Sequence, residues 1–169
     1  VFAPQDNVLR EEYVKMLVST FDLSLKGDMP FVDVADDAWY YDYVKTAVAA
    51  GVVNGTSDKT FGTGEYISRQ DMAVMLKRAA SARNVELMIV DANKKANDEA
   101  KISDYARLAV EQLMHAGVIN GDENGNFKSE TFHSTEGLRE FVRHIDASRT
   151  PLINDVIYLH LYSILFSCK

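Results

Sequence analysis

The sequence is poor in cysteine and proline, and its apolar stretches are short. A single cysteine, Cys168, excludes an internal disulfide framework and a cysteine-based zinc site. The apolar stretch at residues 156–166 is far shorter than the ~20 residues that a transmembrane helix needs. We therefore expect no membrane insertion.

Positive charge is also scarce. The chain has 18 Lys and Arg against 25 Asp and Glu, a net charge of -7. Because the phosphate backbone of a nucleic acid attracts basic surfaces, this balance argues against a nucleic-acid partner.

Signatures of catalysis and of metal binding are missing too. No nucleophile elbow is present, and the four histidines show no ligand spacing. The segment "DENGN" at 122–126 lacks the later Gly and Glu of a calcium-binding loop, so we interpret it as a turn. We expect neither enzymatic activity nor a metal or cofactor.

Repetition is what the sequence does contain. "AGVVNG" at 50–55 recurs as "AGVING" at 116–121, and the flanking residues match at the same offset of 66. A partial copy at 2–17 matches 61–76 at an offset of 59. A fixed period indicates a repeat architecture, here about two and a half units of roughly 60 residues.

Each unit is predicted to be a helix, a glycine-rich loop and a second helix. In the middle unit an Asp of the "DDAWYY" segment can cap the first helix, and Gly51 is placed to end it. Ser68 and Asp71 resemble a capping box at the start of the second. "FVDV" at 31–34, echoed as "IVDA" at 89–92, opens successive units.

The predicted fold class is all-α. One helix pair cannot bury both of its apolar stripes alone, so neighbouring units must pack together. Further helices are predicted over 8–24, 104–116 and 134–146, with short extended stubs near Phe31–Val34 and Phe61.

The stretch "FVDVADDAWYYDYVKTAVAAGVVNGTSDKTFGTGEYISRQDMAVMLKR" resembles an S-layer homology repeat. The resemblance divides the chain into a partial first repeat (1–28), a second (29–84), a divergent third (85–146) and an unassigned apolar tail (147–169). It implies three repeats around a pseudo-threefold axis. It also implies a non-catalytic, extracellular module that anchors secreted proteins to secondary cell-wall polysaccharide, often pyruvylated, in grooves between repeats.

Two arginines are the leading candidates for binding such a polymer. Arg10 in "VLREE" and Arg69 in "ISRQD" occupy matching positions in the first turn of a helix, where the helix dipole is already positive. A guanidinium beside free backbone N–H groups would form a carboxylate receptor. Glu12 and Asp71 are placed to orient the arginines or to accept sugar hydroxyl groups.

Further candidates surround these positions. Trp39 and Tyr40 can stack on a sugar ring, although Trp39 also fits a core anchor. Asn54 and Gly55 would let a sugar approach the backbone, although a turn that needs positive φ explains the glycine better. Ser68 completes the set of candidate ligand-binding residues.

The third unit departs from this pattern, because Thr135 stands at the arginine position. We expect its groove to be degenerate. The first residue is Val1, so we expect a piece of a longer protein with a fused cargo domain. The alternative function is a structural bundle that mediates protein contacts at the cell surface, its glycan grooves having decayed.

Overall fold

The computed structural model describes residues 7–131, and these residues form four α-helices without a β-strand. Helix α1 spans Arg10–Thr20, α2 Tyr41–Ala49, α3 Arg69–Ala82 and α4 Asp104–His115. A single 3₁₀ turn, Glu99–Lys101, precedes α4. The all-α prediction is confirmed. The helix predicted over 134–146, the threefold arrangement that depends on it and the tail at 147–169 lie outside the described residues.

The extended stubs expected near Phe31–Val34 and Phe61 do not form strands. Strand-like pairing within residues 7–131 is limited to isolated bridge residues: Leu9 and Tyr66 form an antiparallel bridge, and Asn7 and Ser68 beside them are also bridge residues. A backbone bond from Val32 N to Lys59 O, 2.9 Å, links the first stub to the following loop.

Each closely packed pair of helices consists of one helix from each of two successive units. Helix α1 belongs to the first unit and packs on α2 of the second, while α3 of the second unit packs on α4 of the third. Helix α1 also contacts α3, where the buried Tyr13 hydroxyl donates to Met72 O at 3.1 Å. The prediction that units must share their apolar faces is confirmed.

One continuous core lies under all four helices. Its largest fully buried side chains come from every unit: Val8, Val14, Val44, Val52, Phe61, Ile67, Met72, Val110, Leu113 and Phe127. Burial of apolar area drives folding. Because the units bury their apolar side chains in the same core, each unit stabilises its neighbours.

The helix starts differ in how they are capped. Ser68 Oγ accepts the Asp71 N–H at 3.2 Å, which confirms the predicted cap of α3. Leu9 precedes α1, and its N–H donates to Glu12 Oε2 at 2.9 Å. The expected Asp cap of α2 is wrong: the helix begins at Tyr41, and its N-cap Tyr40 makes no side-chain cap bond. Instead, a turn joins Ala38 N to Ala35 O at 3.0 Å before the helix starts.

All four helices end in the same way. At the end of α2, Gly51 has φ +70° and donates to Val48 O, and Val52 donates to Ala47 O. This is the Schellman motif, in which a left-handed residue closes the helix. Gly117 repeats it after α4, whereas Asp22 and Asn84 take the left-handed position after α1 and α3. The repeated "AGVVNG" and "AGVING" segments are therefore helix ends.

In the second and in the third unit, an aspartate binds the loop that follows the first helix. Asp33 accepts the N–H groups of Phe61, Gly62 and Thr63 at 2.7, 2.8 and 3.1 Å. Although burial alone would raise the pKa of the Asp33 carboxyl, these backbone bonds lower it below its ordinary value.

Asp98 makes the same kind of contact in the third unit. Its carboxylate accepts the N–H groups of Phe127 and Lys128 at 2.5 and 2.9 Å. The echo of "FVDV" at 89–92 is therefore not its structural counterpart. Asp91 instead accepts Asn93 N at 2.9 Å within its own turn.

Candidate functional site

Arg10 lies inside the protein, with its side chain 5% exposed. Its Nε donates to Phe61 O at 3.1 Å, and its guanidinium carbon lies 5.5 Å from the centroid of the Phe61 ring. Its Nη1 forms an ion pair with Asp71 Oδ2 at 3.0 Å. The guanidinium is thus neutralised by a carboxylate of the next unit.

Asp71 connects three units through its two oxygens. Oδ2 binds Arg10 of the first unit, and Oδ1 accepts the Tyr105 hydroxyl of the third at 2.9 Å. Burial and this hydrogen bond raise the pKa of Tyr105, because both favour its protonated form. The sequence predicted Asp71 as a partner of an arginine, but within its own unit.

Arg69 repeats the placement of Arg10 one unit later. Its guanidinium carbon lies 5.0 Å from the centroid of the Phe127 ring, and its Nη2 donates to Asn120 O at 2.7 Å. Burial lowers the pKa of Arg69, an effect that the charges of Asp122 and Asp98 partly offset. Both arginines therefore stack on the aromatic residue of the following unit.

The backbone N–H groups at the start of α3 have partners within the protein. Arg69 N donates to Thr131 O at 2.9 Å, Gln70 N to Ser129 O at 3.0 Å, and Asp71 N to Ser68 Oγ at 3.2 Å. The expectation of free first-turn N–H groups at this helix is wrong, because the loop of the next unit supplies the acceptors.

An aromatic cluster lies where α1 meets α2, and we name it the α1–α2 surface: Lys15, Trp39, Tyr40 and Tyr43. Trp39 is 56% exposed and meets Tyr40 edge-on, with ring centroids 5.1 Å apart. The interpretation of Trp39 as a core anchor is wrong. Lys15 Nζ lies 5.3 Å from the centroid of the Trp39 ring and 5.8 Å from that of Tyr43.

The corresponding α3–α4 surface has a different composition. Tyr105 takes the position of Trp39 and is 58% exposed. The positions of Tyr40 and Tyr43 are occupied by Ala106 and Ala109, both buried. The aromatic cluster is thus confined, within residues 7–131, to the first of the two surfaces.

Residues 30–73 and 97–128 match the model of the S-layer homology domain. These segments are S-layer homology repeats. The second match begins at 97 and so includes Asp98, in agreement with the hydrogen bonding of that residue.

Several larger proteins contain similar segments. An endoglucanase of Bacillus sp. (strain KSM-635) is 31% identical over 164 residues, 89% of this chain and 17% of that protein. The surface-layer 125 kDa protein of Lysinibacillus sphaericus is 29% identical over 122 residues, 72% of this chain and 10% of that protein. Cell surface glycoprotein 1 of Acetivibrio thermocellus is 26% identical over 140 residues, which are 78% of this chain and 6% of that protein.

This chain thus spans less than a fifth of each of these relatives. The family and the surface proteins among them indicate an extracellular, cell-wall-associated location. The name endoglucanase describes a protein of which the matched part is 17%, so it assigns no catalysis to these repeats. None of the helices within residues 7–131 is long and apolar enough to cross a membrane.

Asn54 and Gly55, within the matched segment 30–73, form a turn. Gly55 has φ +77°, and a Cβ added there would lie 2.4 Å from Thr60 O and 2.5 Å from Phe31 Cε1. In the amide orientation that satisfies both of its groups, Asn54 accepts from Arg78 Nη2 at 3.2 Å. Thr60 and Phe31 therefore occupy the space beside the glycine.

The turn at 122–126 is held by its own carboxylate. Asp122 Oδ1 accepts from Asn124 N and Asn126 N at 2.9 Å, and Oδ2 pairs with Lys128 at 2.9 Å. The hydrogen bond from Lys128 is the main cause that lowers the pKa of Asp122 to about 2. In the described part of the chain, no cluster of three or more His, Cys, Asp or Glu side chains could hold a metal ion.

Sequence reasoning missed Lys15 and Tyr105. Tyr105 could have been found, because it aligns with Trp39 at the repeat offset of 66. Lys15 carried no such signal, since the residue that aligns with it in α3 is Val74. Its relation to Trp39 depends on the packing of α1 against the next unit.

Proposed function

We propose that this chain anchors a larger surface protein non-covalently to the bacterial cell wall by binding anionic, pyruvylated secondary polysaccharide between its repeats. The observation that carries the proposal is the aromatic cluster around the exposed Trp39, where α1 of the first unit meets α2 of the matched segment 30–73. Exposed aromatic rings with a polar edge suit the faces of sugar rings. The fused cargo is part of this proposal, in keeping with the length of the relatives.

The experiment is co-sedimentation of the full chain with purified Gram-positive cell walls. Three preparations are compared: native walls, walls freed of pyruvate ketals by mild acid, and walls freed of secondary polysaccharide by hydrofluoric acid. We expect retention to fall at each step. Equal retention on all three would contradict polysaccharide binding.

The Trp39→Ala variant tests whether the aromatic cluster binds the polysaccharide. An aromatic ring contact contributes about 0.5–1.5 kcal/mol beyond the area that it buries. We therefore expect retention to fall several-fold, with the helical circular dichroism unchanged. The matched control is Tyr66→Ala, which removes another exposed aromatic residue outside the cluster, 51% exposed.

A structural bundle for protein contacts is the second candidate. The observation that favours it is the ion pair between Arg10 and Asp71. Arg10 was predicted to bind a carboxylate of the polysaccharide, but in the structure it binds a carboxylate of the next unit. This candidate predicts no retention on any wall preparation.

A further inference from the structure

A lysine and two aromatic rings from different units meet at the α1–α2 surface. Lys15 projects from α1 of the first unit, and its ammonium lies within 6 Å of the ring centroids of Trp39 and Tyr43 in the second. A cation over an aromatic face is held there by the ring quadrupole. The ammonium is therefore positioned beside an exposed ring.

No carboxylate of the described residues pairs with Lys15. The nearest acids along α1 are engaged elsewhere: Glu11 accepts Gly64 N, and Glu12 accepts the N–H of Leu9. The four ion pairs among residues 7–131 do not include Lys15. Among residues 7–131, the partners of the Lys15 ammonium are therefore the two aromatic rings, not a carboxylate.

Arg10 cannot play this part at the same surface. Its side chain is 5% exposed, and it already has an ion pair, a carbonyl acceptor and an aromatic ring as partners. An anionic ligand would have to break the bond to Asp71 and leave that carboxylate without its cation.

We propose that Lys15 recognises the carboxylate of an acidic sugar whose ring lies on Trp39. This inference rests on the proposed function and makes it more specific. The ammonium supplies charge, and the indole supplies an apolar face for the ring. The α3–α4 surface lacks the cation, because the buried Val74 stands at the position of Lys15. The two surfaces therefore differ in their preference for acidic sugars.

The test compares Lys15→Gln with Lys15→Arg in the full chain. A charge-assisted hydrogen bond contributes about 1.5–3 kcal/mol, so Lys15→Gln should weaken binding to native walls about tenfold or more. Lys15→Arg should restore most of it. The matched control is Lys45→Gln, since Lys45 of α2 lies over a different ring, 5.8 Å from the Tyr41 centroid.

Small sugars show whether Lys15 recognises the carboxylate of a pyruvate ketal or that of a uronic acid. The probes are a methyl glycoside with a 4,6-pyruvate ketal, its 4,6-isopropylidene counterpart without the carboxylate, and a methyl glucuronide. We expect wild type to prefer at least one acidic probe over the neutral one in calorimetry, and Lys15→Gln to lose that preference. Trp39→Ala should weaken all three.

Retention of wild type and Lys15→Gln to the same extent on native walls would overturn the role of Lys15 and leave the proposed function standing. An acidic-sugar preference that survives Lys15→Gln would overturn it as well. Absence of wild-type retention on every wall preparation would instead overturn the proposed function, and the role of Lys15 with it.

Discussion

Arg10 shows how the environment decides the role of a charged residue. At a helix start it was predicted to receive an anion, yet the anion it binds is Asp71 of the next unit. Removing one partner of a buried ion pair leaves the other charge without compensation. Loss of wall binding in an Arg10→Ala variant would therefore report on folding as much as on recognition.

Asp71→Asn should destabilise the chain by about 2–3 kcal/mol, below the range for a fully buried pair because the aspartate side chain is 29% exposed. Urea unfolding measures the change. In a double-mutant cycle, Arg10→Met combined with Asp71→Asn should be more stable than the sum of the single changes predicts. Strict additivity would show that the pair makes no net contribution.

Asp33 gives a pH dependence of known sign. Its folded pKa lies below the ordinary value, so its stabilisation is fully present above about pH 4 and is lost as pH falls through the folded pKa. Asp33→Asn should lower the free energy of unfolding at pH 7 by about 1–2 kcal/mol. The difference from wild type should shrink as the pH falls below 4.

Asp91→Asn is the control, because its carboxylate accepts one N–H in its own turn. A constant difference between wild type and Asp33→Asn down to pH 2 would contradict the role of the ionised carboxylate.

At the scale of elements, the helix ends differ in quality although they share one motif. Glycine takes the left-handed position after α2 and α4, but Asp22 and Asn84 take it after α1 and α3, with φ +47° and +55°. A side chain in this region is strained relative to glycine by roughly 1 kcal/mol. The ends of the two second helices therefore store strain that substitution can release.

Asn84→Gly should raise the free energy of unfolding by about 0.5–1 kcal/mol. Gly51→Ala should lower it by about 1 kcal/mol, with backbone strain as the cause, since nothing lies within 4 Å of an added Cβ. Thermal and urea unfolding give both values. A destabilised Asn84→Gly variant would mean that the amide makes a compensating contact.

The end of α2 was predictable, whereas the helix predicted over 8–24 ends at Thr20, with Asp22 in the left-handed position. Gly51 was identified from its place after an apolar helical stripe, because only backbone conformation decides it. The cap of α2 was not predictable in this way, since Asp36 and Asp37 precede a turn that delays the helix to Tyr41. Local chemistry allowed an earlier start, but Ala38 N donates to Ala35 O and Tyr41 N to Ala38 O in the turns that precede the helix.

The candidate site was less predictable than the fold. Arg10 and Arg69 were found by their repeated position, but their partners are supplied by other units and are distant in sequence. Lys15 acquires its proposed role only when α1 packs against α2, which brings it over Trp39. Contacts between units cannot be inferred from one unit's sequence.

At the scale of the whole molecule, the shared core and the Asp71 contacts predict one cooperative unfolding transition. Trp39 is the single tryptophan, so its fluorescence reports on α1 and α2, while far-ultraviolet circular dichroism reports on all helices. The two urea transitions should coincide. Asp71→Asn should lower both midpoints together, and a shift confined to the circular dichroism would contradict coupling between units.

Helix α1 pairs with α2, and α3 pairs with α4. The boundaries of these packed pairs therefore differ from the boundaries of the sequence repeats. The sequence repeats from one first helix to the next, whereas each close-packed pair begins with a second helix. A truncation at residue 29, the boundary that the sequence suggests, would separate α2 from its partner. A crossover in the loop between α2 and α3 would keep both close-packed helix pairs together. Such a recombinant should fold only when its two parents share the contacts that span this loop, the Arg10–Asp71 ion pair and the Asp33 hydrogen bonds.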